Sequence, residues 1–221
     1  MNIEETGCKP IIIGELYGGG NEAGYSVYGY KQMTEDDQLV WKPRESATDN
    51  TADGNYDNLT NPYRDPMVNV KSFTSIGTIY GGGYGSTAVM VGSPTVNINE
   101  VVGTPDDYPA TGTDYDTKGF KGKTITLDKG KETEHTVQLP SHTKGKIGAI
   151  NNVFGGGNAA KVIGNTNVNI GTLSTVDYVT KARTDISVVG ADIRGNVYGG
   201  GNNAEVTGNT NVTIGKKETT N

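Results

Sequence analysis

The chain has 221 residues, 33 of them glycine, and a formal net charge of −6. Glycine is about twice its roughly 7% average share, yet no Gly-X-Y period runs through it, which excludes collagen. Lys and Arg are scattered rather than clustered, which argues against a phosphate-binding surface and hence against nucleic acid. Hydrophobic residues make up only 33%, so a thin core shared between neighbouring repeats fits better than one large core.

The repeat begins with the lead-in Ile13-Gly14, followed by Leu16-Tyr17-Gly18-Gly19-Gly20-Asn21. Its second half is displaced to Asp65-Pro66-Met67-Val68-Asn69-Val70, so residues 29–63 read as an insertion. This first copy also departs from the others at Gly24-Tyr25-Ser26-Val27, which reads as a cap-like turn. Copy two has the lead-in Ile76-Gly77, then Ile79-Tyr80-Gly81-Gly82-Gly83 and Gly92-Ser93-Pro94-Thr95-Val96-Asn97-Ile98. A second insertion, 103–146, starts as a proline-containing loop. It continues as two β-type runs, Thr124-Ile125-Thr126-Leu127 and Thr136-Val137-Gln138-Leu139, around Asp128-Lys129-Gly130-Lys131, a hairpin signal.

Copy three has the lead-in Ile147-Gly148, then Val153-Phe154-Gly155-Gly156-Gly157-Asn158, and ends Gly164-Asn165-Thr166-Asn167-Val168-Asn169-Ile170-Gly171. A joint at 172–184 separates it from copy four, which has the lead-in Ile193-Arg194-Gly195. Copy four continues Val197-Tyr198-Gly199-Gly200-Gly201-Asn202 and ends Gly208-Asn209-Thr210-Asn211-Val212-Thr213-Ile214-Gly215. These two copies align without a gap. Thr166, Val168 and Ile170 alternate with asparagines, which predicts a strand with the first set inward. Each triple glycine is expected to be a corner requiring positive φ or close backbone approach.

The fold class expected is all-β: a parallel β-helix or solenoid of about four irregular rungs with loop and hairpin insertions. It forms one domain over 1–221. The repeat cores lie near 11–28 with 65–70, 73–99, 147–171 and 186–215, and the insertions at 29–63, 103–146 and 172–184. The chain reads as a fragment of a longer array, with neighbouring repeats as partners. At the runs Val-Phe-Gly-Gly-Gly-Asn-Ala-Ala and Val-Tyr-Gly-Gly-Gly-Asn-Asn-Ala it resembles the very large repetitive surface proteins of Bacteroidota. That resemblance implies a parallel β-helix, a cell-surface or extracellular location and an adhesin-like role, and it brings no catalytic residues.

Chemical constellations are sparse. His135 and His142, in a hairpin arm and its exit, lack a serine or cysteine signature nearby and read as ordinary loop residues. Cys8, the single cysteine, has no partner for a disulfide, and zinc-type spacing is absent. Asp49, Asp53, Asn55 and Asp57 place oxygen ligands at alternate positions around Gly54, as a calcium loop does. The twelfth position is Thr60 rather than Glu, and a solvated acidic loop is the competing reading. Asp106, Asp107, Asp114 and Asp116 form a second acidic loop. Calcium is the only cofactor candidate. No run approaches the ~20 apolar residues of a membrane helix, so no membrane insertion is expected, and no secretion signal is read at Met1-Asn2-Ile3.

Two features suit binding. Tyr17, Tyr80, Phe154 and Tyr198 form an aromatic column, and tyrosine faces can stack on sugars; structural stacking is the alternative. Asn69, Asn97, Asn169 and Thr213 form one outward row, and Met67, Thr95, Asn167 and Asn211 another. The ligand candidates are Tyr17, Tyr80, Tyr198, Asn97, Asn167 and Asn211. The expected function is a non-enzymatic surface adhesin-like segment, its loops held on a stiff rod toward a host glycan or matrix protein. A carbohydrate-binding or carbohydrate-active β-helix protein is one alternative, and a phage or secretion-apparatus fibre is another.

Overall fold

β-Branched residues alternating with Asn and Thr favour extended chain, and the triple glycines interrupt it. The computed structural model describes residues 11–50, 54–57, 59–71, 73–101, 120–142, 148–171, 188–189 and 191–215. Copy one supplies β1 (Ile12–Tyr17), β2 (Tyr25–Ser26), an insertion hairpin of β3 (Tyr30–Glu35) and β4 (Gln38–Pro43), and β5 (Met67–Val70). Copy two supplies β6 (Ser75–Tyr80), β7 (Met90–Val91) and β8 (Thr95–Ile98), and β9 (Glu100–Val101) follows. The second hairpin is β10 (Lys123–Leu127) with β11 (His135–Leu139). Copy three supplies β12 (Ala149–Phe154), β13 (Val162–Ile163) and β14 (Thr166–Ile170). After β15 (Val188–Val189), copy four supplies β16 (Asp192–Ile193), β17 (Val197–Tyr198) and β18 (Thr210–Ile214).

These strands form sheets of two kinds. Three are parallel: β1-β6-β12 with β16 and β17 both on β12, β2-β7-β13, and β5-β8-β14-β18. Three are antiparallel pairs: β3-β4, β10-β11 and β9-β15. In the parallel sheets equivalent residues of successive copies lie side by side. Val68, Val96, Val168 and Val212 form one column, and Val70, Ile98, Ile170 and Ile214 the next. In the first sheet the columns are Ile13-Ile76-Ile150-Ile193 and Leu16-Ile79-Val153-Val197. The core lies between these two sheets: Ile76, Ile79, Val96, Ile98, Ile150, Val153 and Val168 are completely buried. Tyr25–Ser26 is a true strand of copy one, paired with Met90–Val91, rather than a cap-like turn.

Close approach, not positive φ, explains the triple glycines. None of the corner glycines has a positive φ. A Cβ on Gly81 would strike the Gly155 carbonyl, and one on Gly155 the Gly199 carbonyl. The left-handed residue comes two positions after each triple glycine, at Glu22 (φ 55°), Gly85 (87°), Ala159 (57°) and Asn203 (57°). The third lead-in also moves: Ile76 pairs with Ile150, so Ile150-Asn151 holds that place. Ile147 lies outside the described residues.

The expected parallel β-helix of about four irregular rungs is corrected here to an all-β domain of mixed topology. The described parts of the insertions 29–63 and 103–146 are not loops hung outside a repeating rod; they form the antiparallel pairs β3–β4 and β10–β11 and fold back on the domain, while 172–184 lies outside the described residues. β11 lies against β1, β6 and β12, burying Val137 and Leu139. The Ser75 hydroxyl donates to the Pro140 carbonyl (2.7 Å). Gly14 and Gly77 make room for this layer, since a Cβ on Gly77 would strike Val137 Cγ1 and one on Gly14 would crowd Ile125 and Leu127. Copies three and four carry Asn151 and Arg194 at the equivalent place. Gly77→Val is therefore expected to lower stability by about 1–3 kcal/mol through overpacking. Thermal denaturation together with faster amide exchange across β10–β11 than in β8 and β14 checks this.

Candidate functional site

The aromatic column forms as a continuous stack. Ring centroids are 4.8 Å apart for Tyr17–Tyr80, 5.1 Å for Tyr80–Phe154 and 4.8 Å for Phe154–Tyr198, with interplanar angles of 6°, 12° and 17°. Each inner ring therefore has both faces covered by its neighbours. Tyr80 is 4% exposed, whereas Tyr198, at the end of the stack, is 46% exposed. Burial, the main cause, pushes the Tyr80 phenol up to about 12.

The two polar rows also form, and their amides are engaged with one another. Asn97 Nδ2 donates to Asn69 Oδ1 (2.9 Å), and Asn169 Nδ2 to Asn97 Oδ1 (2.9 Å). Asn167 Nδ2 donates to Thr95 Oγ1 (3.5 Å), and Asn211 Nδ2 to Asn167 Oδ1 (3.1 Å). At the corners, Asn202 Nδ2 donates to Asn158 Oδ1 (3.1 Å). In every one of these bonds the later copy donates and the earlier copy accepts. The ladders thus have a direction, and the last copy presents its acceptor oxygens outward.

The calcium-type loop is used for internal bonding. Lys31 Nζ pairs with Asp49 at 2.8 Å, and the Glu45 amide donates to Asp49 Oδ2 (3.0 Å). The Lys31 bond first, then the Glu45 amide, hold the Asp49 carboxyl below its usual range. Asp57 Oδ1 accepts the Tyr30 amide (2.8 Å), and the Asn55 carbonyl accepts the Gln32 amide (2.6 Å). Asp53, Cys8 and the second acidic loop lie outside the described residues. Among the described residues no three His, Cys, Asp or Glu side chains gather as a metal-binding group.

The chain matches no protein-family profile, no curated protein and no solved structure.

The adhesin-like reading needed binding loops on a stiff rod, and the geometry overturns it. The 29–63 insertion folds back onto β2: the Ser26 hydroxyl donates to the Arg44 carbonyl (2.5 Å), and Arg44 is only 7% exposed. The fibre reading needed the same rod and falls with it. The carbohydrate readings are overturned as well. The inner ring faces are covered, the row amides are taken up within the ladders, and no catalytic constellation forms among the described residues.

Two features lie outside the candidate residues read from the sequence. One is a cavity of about 920 Å³ beside β11, lined by Glu15, Tyr84, His135, Gln138, Asn152 and Asn158 among others. At its wall the Tyr17 hydroxyl donates to Glu15 Oε2 (2.6 Å), and His135 Nε2 reaches the same oxygen at 3.0 Å. His135 Nδ1 faces the Thr133 carbonyl at 2.8 Å. Both partners are acceptors, so the doubly protonated imidazolium satisfies both bonds. Burial lowers the His135 pKa, but the bonds to Thr133 and Glu15 outweigh it and the net shift is upward from 6.5. Tyr84 stacks on the ring at 6.2 Å, and Asp128 adds a favourable charge.

The second feature is the end of the domain formed by copy four. β18 is the terminal strand of its sheet, and β16 and β17 lie beyond β12 in theirs. On the third side Val206 bridges Val162. Val212 and Ile214 are 42% and 68% exposed, although their column neighbours Val168 and Ile170 are 0% and 4%.

Because its pKa is raised, protonated His135 stabilises the folded state below its ordinary pKa, and this contribution is lost as pH rises through the raised value. Solvent reaches the imidazole, so the effect is expected to be about 1 kcal/mol or less. Amide exchange in β10–β11 should therefore accelerate above about pH 6.5 beyond the intrinsic base-catalysed rate. Glu15→Gln should flatten that pH dependence.

Proposed function

We propose that this chain is a non-catalytic association module whose copy-four end accepts parallel β-strands from a protein partner. The observation that carries this reading is the exposure of Val212 and Ile214 at the open edge of β18, in columns whose other members are buried. An open edge offers unpaired backbone groups to an incoming strand. Leaving each of these side chains uncovered forgoes up to about 1.5–3 kcal/mol of burial. Edge and apolar end lie together, so one partner strand satisfies both.

The other end differs. There the 29–63 insertion and the residue after it cover β2: Pro43 lies against Gly24, the Tyr63 amide donates to the Val27 carbonyl, and the Tyr25 hydroxyl donates to the carbonyl of Arg64. Association is thereby biased to the copy-four end. The net charge of −6 favours a protein over a polyanion as partner, and the motif resemblance supports a cell-surface location.

The full chain should show an average mass that rises with concentration by light scattering. Val212→Lys with Ile214→Lys, both at exposed positions, should keep the circular dichroism spectrum and hold the chain at monomer mass. A wild-type chain that stays monomeric at every concentration, or a double variant that associates equally well, overturns the reading.

A further inference from the structure

Resting on that reading, we infer that the copy-four end selects one kind of partner: a segment carrying a further copy of the same aromatic-Gly-Gly-Gly-Asn and Thr-x-Val-x-Ile motif, added in parallel.

Gly200 points to this occupant most directly. In copies one to three the middle corner glycine is obligatory because the next copy's corner sits on it. A Cβ on Gly19 would lie 2.7 Å from the Gly83 nitrogen, one on Gly82 2.6 Å from the Gly157 nitrogen, and one on Gly156 2.8 Å from the Gly201 nitrogen. Gly200 is the fourth member of that series, and a Cβ there meets nothing within 4 Å among the described residues. Its φ is not positive either. Neither local crowding nor backbone conformation requires glycine at 200. The requirement arises only when another corner nitrogen seats over it, as it does over the three equivalent glycines.

Three further features of the end match the same occupant. Tyr198 is 46% exposed and, among the described residues, stacks only on Phe154, whereas each earlier ring also receives the next one. The side-chain amide ladders end on Asn202 and Asn211, each of which donates backward to copy three. Their outward oxygens accept, so an incoming segment must present donors there, and asparagine at the motif's own positions does so. Val212 and Ile214 continue columns filled by Val and Ile in parallel register. A second molecule docking by its own copy-four end meets acceptor with acceptor and runs antiparallel, so it covers Val212 and Ile214 and associates at high concentration without completing the ladder and the register that a motif copy completes.

The test uses the full chain extended after residue 215 by a second copy of its own residues 172–215, a tether that keeps the added copy at high effective concentration. Amide exchange of residues 210–214 should slow at least tenfold relative to the unextended chain. With Gly200→Ala at the acceptor end that slowing should disappear, while the unextended Gly200→Ala chain keeps wild-type thermal stability. Gly156→Ala, where the seat is already occupied, should destabilise the unextended chain. Unchanged exchange on extension, or slowing that survives Gly200→Ala, overturns the inference. If either occurs while Val212→Lys with Ile214→Lys still abolishes self-association, the end remains an association surface and only the selection of a motif copy is wrong.

Discussion

Placing each residue beside its own equivalent in the next copy is the constraint on which the rest of the structure depends. Parallel register puts Val on Val and Ile on Ile in the core, ring on ring at about 5 Å outside it, and amide on amide along the polar face. Asparagine is a poor strand former. Here it is tolerated because each amide finds its partner in an identical neighbour, so the group's desolvation is compensated by a hydrogen bond. The triple glycines serve the same constraint: the corners can stack only if no Cβ intervenes.

The constraint also explains why the insertions are tolerated and how they become structural. A stack of copies has an outer face as well as ends, and each is covered where the sequence provides cover. The β10–β11 hairpin sits on the outer face at Gly14 and Gly77, where the missing side chains make room for Val137 and Leu139. The 29–63 insertion folds onto β2. What results is a mixed-sheet domain whose copy-one end is covered over β2 and keeps Val68 and Val70 buried, while Val212 and Ile214 stand exposed at the copy-four end. That asymmetry, rather than any cluster of reactive side chains, is what the functional reading rests on.

Much of the stacking was legible in the sequence because copies three and four align without a gap. The rows Asn69-Asn97-Asn169-Thr213 and Met67-Thr95-Asn167-Asn211 follow directly from that alignment, and the structure pairs them. Ile147-Gly148 imitates the Ile-Gly of copies one and two and so hides the third lead-in. The true equivalent, Ile150-Asn151, has lost its glycine. The mixed architecture is hidden in the sequence because nothing local in a hairpin motif says whether it packs back on the domain. Only seeing Gly77 against Val137 shows what that glycine is for. The Glu15–His135 pair joins residues 120 positions apart, a distance no spacing rule spans.

The central claim is that successive copies hold one another and that the last is held on one side only. Residue-resolved amide exchange of the unextended, dilute chain measures this most directly. The account predicts the strongest protection in β6, β8, β12 and β14, which have partners on both sides, and the weakest in β18 among the core-lining strands of the parallel sheets. Protection of β18 equal to that of β14, or exchange in β6 and β12 as fast as in the surface turns, would contradict it.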